Sequence, residues 1–292
     1  PQLWLPNESF PGFAWRQNRW KERSLANLNV PWIAGEQTDP GRSPKKQMNE
    51  DAVGHRTPSD DEALQQRGAI YIVADGIGGH AHGEVASMMA VERIIEGYYA
   101  APAQLGPRES LVEAIKQANQ VVFEQSQLDP NLAGMGTTIT AAVVFADGRL
   151  ILANIGDTRA YLIRDGQPRQ ISVDHTWLAE QLAANILSPE EAKTHPRRHQ
   201  ITRSLGRRPE VEVEVSEHRL LPGDTLLTCS DGLSDVAADI EIAQGALQGS
   251  PQEAAQGLID LANSRGGPDN ITVQIVRFQP APQPAHTAPA PR

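Results

Sequence analysis

Seven short apolar runs, rich in β-branched residues and bounded by turn formers, punctuate the chain: 69–74 (AIYIVA), 137–145 (TTITAAVVF), 150–155 (LILANI), 160–164 (AYLIR), 211–215 (VEVEV), 225–229 (TLLTC) and 271–278 (ITVQIVRF). Each reads as a strand. Ala-Asp-Gly-Arg at 146–149 and Arg-Asp-Gly-Gln at 164–167 read as hairpin connections between them. Helical periodicity runs through 84–99, 109–126 and 251–263, where Pro251 suits a first-turn position. Strands therefore come in hairpin-linked groups and do not alternate strictly with helices, which predicts an α+β layered fold with antiparallel sheets. The stretch from about 175 to 200 breaks the pattern. It holds a short helix candidate at 177–185, a second starting at Ser188-Pro-Glu-Glu, and the basic segment HPRRH at 195–199. It reads as a flap inserted between strands.

The two ends differ from the middle. Residues 1–31 carry Trp4, Trp15 and Trp20 without a period and read as an irregular extension. Residues 279–292, rich in Pro and Ala from Pro280 onward, read as a semi-extended linker, which suggests a fragment of a longer protein. Between the ends, 39% hydrophobic residues suffice for a sizeable core. No apolar run approaches the roughly 20 residues of a membrane-spanning helix. A net charge of −10 argues against nucleic-acid binding, which rests on Lys and Arg neutralising phosphates. An acidic protein with an anionic substrate needs a local source of positive charge, and bound metal supplies one. The single cysteine, Cys229, rules out an intramolecular disulfide and a Cys-based zinc cage. With no signal peptide visible, a cytoplasmic location is expected.

Aspartates recur where the apolar runs stop: Asp75 in IVADG, Asp157 in ANIGD and Asp231 in TCSDG, with Asp269 in GGPDN just ahead of the last run and Asn49-Glu50-Asp51 ahead of an early one. Any one Asp-Gly is ordinarily a turn former. The same device at several strand ends suggests more, because clustered carboxylates repel unless a cation lies between them. Oxygen ligands of this kind favour Mg²⁺ or Mn²⁺ over zinc. Spacing along the chain does not itself bring them together.

Six segments in order are Asn49-Glu50-Asp51-Ala52, Val73–His80 (VADGIGGH) with Gly83-Glu-Val-Ala-Ser87, Gly134-Met-Gly-Thr-Thr138, Ile155-Gly-Asp-Thr-Arg-Ala160, Cys229-Ser-Asp-Gly-Leu-Ser-Asp235 and Gly267-Pro-Asp-Asn-Ile-Thr272. Across residues 32–278 this set resembles the bacterial branch of the PPM (type 2C) serine/threonine phosphatases. The resemblance implies two packed antiparallel β-sheets flanked by helices, an αββα sandwich with the flap inserted and metals in a cleft at one edge. It implies that Asp75 bridges two core Mn²⁺ or Mg²⁺ ions, with the Gly76 carbonyl as a further ligand. Asp231 and Asp269 would complete one shell, Glu50 or Asp51 would serve the other, and Asp157 with Asp231 would hold a third, weaker ion. Two such cations activate a water for in-line attack on a phosphomonoester, so no protein nucleophile is needed. Lys46 stands where the family has its phosphate-binding arginine, with Arg42 as the alternative anchor; a lysine offers a point charge in place of a bidentate fork. Ile77 stands where many eukaryotic members carry histidine, leaving the proton donor unassigned.

The implied activity is hydrolysis of phosphoserine and phosphothreonine on proteins, opposing a serine/threonine kinase in signal transduction, by a monomeric catalytic domain. Two alternatives remain open: a phosphoprotein-binding module with little turnover, and a phosphohydrolase of small phosphate esters. Several residues have plainer readings. Cys229 lacks the arginine six residues later that a cysteine phosphatase needs, and reads as core. GIGGHAHG lacks dinucleotide-loop spacing. His80 and His82 read as exposed or as lying behind the ligands, and Thr137 and Thr138 as plain strand residues. The basic residues at 195–199 with Arg203, Arg207 and Arg208 read either as a solvated face or as a surface for the substrate protein.

Overall fold

The computed structural model describes residues 30–44, 48–78, 82–193 and 195–279. Ten of its strands form two five-stranded sheets, and every pairing is antiparallel. The first sheet runs β1 (Trp32–Asp39), β12 (Ile271–Phe278), β11 (Thr225–Cys229), β8 (Arg159–Arg164), β9 (Gln167–Gln170). The second runs β10 (Glu214–Arg219), β7 (Arg149–Ile155), β6 (Ile139–Val144), β3 (Ala69–Ala74), β2 (Ala52–Arg56). A two-residue pair, β4 (Gly76–Ile77) with β5 (Gly136–Thr137), lies beside them.

The apolar runs are continuous because each central strand is buried on both faces. In β3, Ile70, Ile72 and Ala74 face α2 (Gly83–Ala100) and α3 (Pro107–Leu128), while Ala69 and Tyr71 face the other sheet. On the far side, Leu227 and Cys229 of β11 and Val273 and Ile275 of β12 face α6 (Asp231–Ser234), α7 (Asp239–Ala246) and α8 (Pro251–Ser264). Leu226, Val276 and Phe278 turn inward onto Tyr71, Val144 and Leu152. Three apolar layers result, helices on sheet, sheet on sheet, and sheet on helices, as an αββα sandwich requires. Trp32 Nε1–H donates to the Tyr71 hydroxyl at 2.9 Å, so these two buried polar groups satisfy each other. The short α1 (Asp61–Arg67) adds Leu64 to that middle layer.

Local chemistry sets the element ends. Ser250 caps α8 in a capping box with Glu253, and Pro251 opens the first turn. At the β8–β9 hairpin Asp165 and Gly166 both take positive φ, 51° and 74°, the twist a two-residue hairpin needs. Two expectations need correction. The run 137–145 is not one strand: it breaks at Thr138, whose N–H turns to the Asp75 carbonyl at 2.9 Å. The run 211–215 pairs only from Glu214, opposite Asn154, and continues to Arg219; its partner β7 ends one residue further on, at Ile155, so 211 and 212 lie beyond the ladder. Val211, Val213 and Val215 still pack against the helix-side core.

The inserted segment holds α4 (Trp177–Ala183) and α5 (Pro189–Lys193). Its base is closed by a Thr176↔Ile201 bridge and by Thr202 N–H donating to the His175 carbonyl at 2.8 Å. The Trp177 ring stacks with the His195 ring at 4.5 Å and has the Arg197 guanidinium over it at 4.2 Å. Among the described residues, no helix is long and apolar enough to cross a membrane.

Candidate functional site

Strand pairing places the acidic residues. Asp51 precedes β2 and Asp75 follows β3, and the Ala52↔Ala74 pair sets them side by side. β6 pairs Thr140 with Val73 and Ile139 with Ile155, so Asp157, just past β7, lies at the same end of the second sheet. In the first sheet Cys229↔Val273 puts Asp231, beyond β11, at the same end as Asp269, ahead of β12. Side chains bind the two edges together. Ser230 Oγ–H donates to Asp51 Oδ2 at 2.7 Å and accepts from Thr272 N–H at 2.9 Å. Asn270 Oδ1 accepts the Glu50 N–H at 2.9 Å, while its Nδ2 donates to the Pro40 and Met48 carbonyls at 2.9 and 3.1 Å.

These carboxylates act on one another. The Asp75 carboxyl is held well above the usual carboxylate range, first by burial and then by the charges of Asp231, Asp51, Asp157 and Asp269. Asp231 is raised likewise by burial, then by Asp157, Asp235, Asp269 and Asp51. Asp157 is pushed up to about 7, by burial and then by Asp174. Asp157 Oδ1 and Asp231 Oδ1 are buried with no hydrogen-bond partner, which is costly for a carboxylate unless a cation takes the oxygen. The donors are all hard oxygens, with no cysteine or histidine among them, and that chemistry fits a divalent cation of the Mg²⁺ or Mn²⁺ kind. Among the described residues, no three Asp, Glu, His or Cys side chains yet converge on a single point at ligand distance.

Backbone approach is close here. A Cβ on Gly76 would lie 2.4 Å from the Gly83 carbonyl oxygen and 2.5 Å from that of Glu50, so only glycine fits. Gly76 N–H donates to the Glu50 carbonyl at 3.1 Å, which also accepts the Ser87 hydroxyl at 2.6 Å. The Asp75 carbonyl accepts from Thr137 Oγ1 at 2.8 Å and from Thr138 N–H, so Thr137 does more than fill a strand. Beside this edge a cavity of about 150 Å³ opens between Asp157, Asp231 and Asp235 and the flap residues Leu178, Leu182 and His199. His199 Nδ1 lies 3.1 Å from Asp235 Oδ2, joining flap to edge.

Not every predicted residue joins the cluster. The Glu50 side chain lies against Gly83 at the start of α2, and the charge of Asp51 acts on Asp75. Arg42 is exposed, and its N–H donates to the Gly267 carbonyl at 2.8 Å, tying it to the loop that carries Asp269. Lys46 and His80 lie outside the described residues. His82 is exposed and pairs with Glu84 at 2.8 Å. Cys229 is fully buried in its strand, and burial pushes its thiol up to about 12, so it is an inert core residue. The basic residues divide: Arg198 and His199 line the cavity, whereas Arg203 pairs with Glu212 at 3.1 Å. Sequence reading missed Ser230, Asn270 and His175. The first two adjoin Asp231 and Asp269 in CSDG and GPDN, the only signal they offered.

A family model described as protein phosphatase 2C matches residues 42–256. The chain is 38% identical over 224 residues to the serine/threonine protein phosphatase PstP of Mycobacterium tuberculosis, covering 74% of this chain and 42% of that protein. It is 37% identical over 243 residues to the serine/threonine phosphatase stp of Listeria monocytogenes, covering 82% and 93%. The chain thus spans less than half of the mycobacterial protein and nearly all of the listerial one. The crystal structure of the PstP catalytic domain in complex with two manganese ions superposes with a TM-score of 0.71 at 35% identity, over 85% of this chain and 99% of that one. Matching motifs, sandwich and carboxylate edge agree: this chain belongs to the protein phosphatase 2C family.

Proposed function

We propose that this chain hydrolyses phosphoserine and phosphothreonine monoesters on proteins, using divalent metal ions. The observation that carries the reading is the meeting of Asp51, Asp75, Asp157, Asp231 and Asp269, from two sheets, at one edge where two buried carboxylate oxygens have no protein partner. Asp75 would hold both core ions, with the Gly76 carbonyl beside it. Asp231 and Asp269 would complete one shell, Asp51 or Glu50 the other, and Asp157 with Asp231 a third, weaker one. Bound Mn²⁺ or Mg²⁺ supplies the positive charge that lowers the pKa of a water and neutralises phosphoryl oxygens.

The chain's own residues orient that machinery. Ser230 fixes one oxygen of Asp51. Thr137 and Thr138 fix the Asp75 backbone. Arg42 and Lys46 are the proposed phosphate anchors, Arg42 through its place beside the Asp269 loop. The catalytic unit is taken as residues 32–278, with a flap at about 175–200, an extension at 1–31 and a linker at 279–292. It is proposed to act as a monomer in the cytoplasm on the products of a serine/threonine kinase.

The test is phosphate release from a phosphothreonine peptide and from p-nitrophenyl phosphate with saturating Mn²⁺. Turnover of both, abolished by Asp231→Asn, is expected. Tight peptide binding without release would replace this reading with that of a binding module, and higher kcat/KM on phosphometabolites than on peptides would move it to small esters.

A further inference from the structure

Asp157 sits on a corner where the chain leaves one sheet for the other: β7 belongs to the second sheet, β8 to the first, and only Gly156, Asp157 and Thr158 lie between them. Gly156 takes φ +99°, and a Cβ there would lie 2.4 Å from Thr138 Cγ2, so the turn demands glycine. A corner built on glycine needs outside restraint to aim the next side chain. The restraint comes from one short segment, 173–175, directly ahead of the flap. Asn154 Nδ2 donates to the Val173 carbonyl at 2.8 Å. Asp174 grips the Arg159 guanidinium with both oxygens, the shortest contact being 2.7 Å from Nη2. His175 takes both polar groups of Gly156: its N–H donates to the Gly156 carbonyl at 2.9 Å, and its Nδ1 accepts the Gly156 N–H at 3.1 Å. Asp157 is thereby bracketed from residue 156 and from residue 159.

The same residue anchors the flap. The His175 carbonyl accepts from Thr202 N–H, and Thr176 both pairs with Ile201 and caps α4 through Oγ1 to Ala179 N–H at 3.1 Å. The ring is buried, and burial followed by the Arg203 charge holds its pKa down at about 4, so Nδ1 stays an acceptor at neutral pH. We infer that His175 is a positioning residue: through the Gly156 backbone it aims the Asp157 carboxylate and makes the flap base and the third ion's ligand one mechanical unit. This rests on the proposed role of Asp157 as an ion ligand.

Mn²⁺ titration calorimetry on the chain, its single variants and their combination tests the inference without recourse to activity. Asp157→Asn removes the weakest binding step; if every step survives, the ligand role of Asp157 itself is wrong. With that role intact, His175→Ala weakens the same step about 10- to 100-fold, the usual effect of losing a group that orients a ligand, and leaves the tighter steps unchanged. In the Asp157→Asn background His175→Ala changes metal binding no further. His175→Asn, whose side-chain oxygen reaches the Nδ1 position, restores most of the affinity, whereas His175→Gln, whose amide reaches the Nε2 position, does not. Equal affinities for the Asn and Gln variants, or a weakening of all steps alike, would overturn the inference in favour of a merely structural histidine.

Discussion

Replacing Asp157 with asparagine should stabilise the metal-free protein. The carboxyl is 7% exposed, so solvent screens it little, and its pKa is raised from 3.8 to about 7. Between about pH 4 and pH 7 the folded protein keeps a proton that the unfolded chain has released, so stability falls as pH rises through that window. About three pKa units at 1.36 kcal/mol each give about 4 kcal/mol of strain at pH 8. Asparagine has the same shape and no charge to bury, so this is the most the variant can gain; desolvating the amide takes part of it back. At about 2–4 °C per kcal/mol for a chain of this size, the ceiling is roughly 8–16 °C in Tm. Thermal denaturation in EDTA, followed by circular dichroism from pH 4 to pH 8, reads the effect. The variant should melt higher at pH 8 and with the parent at pH 4. With saturating Mn²⁺ the order should reverse, since only the parent keeps the ligand charge. A variant no more stable than the parent in EDTA at pH 8, or an advantage independent of pH, would refute the reasoning.

Two further outcomes follow from contacts behind the carboxylates. Ser230→Ala strips a hydrogen bond from both Asp51 and the Thr272 N–H at a fully buried position, which should cost about 1–3 kcal/mol in urea denaturation and weaken Mn²⁺ binding; an unchanged midpoint would show that the bridge between the edges contributes nothing. Gly232→Ala places a Cβ 2.0 Å from the Asn270 carbonyl oxygen, so backbone between Asp231 and Asp269 must shift; a loss of about 1–3 kcal/mol is expected, and wild-type phosphate release by this variant would contradict the crowding.

The sequence by itself determined the interior of the sandwich. Strands buried on both faces must be apolar at every position, and so 69–74, 225–229 and 271–278 could be bounded to the residue. Asp165-Gly166 announced its hairpin because few residues accept positive φ. Edge strands carry no such signal: β1 (WIAGEQTD) and β9 (QPRQ) are polar and half-exposed, and only their neighbours make them strands. The motif aspartates were legible one at a time, each at the end of an apolar run. Their meeting was not, because it depends on two sheets stacking with the same ends aligned and on the chain crossing between them at Gly156. The roles of Ser230, Asn270 and His175 arise in the same way. A hydroxyl, an amide and an imidazole have no fixed meaning along the chain, and acquire one only when packing brings a carboxylate, a carbonyl or a glycine N–H within reach.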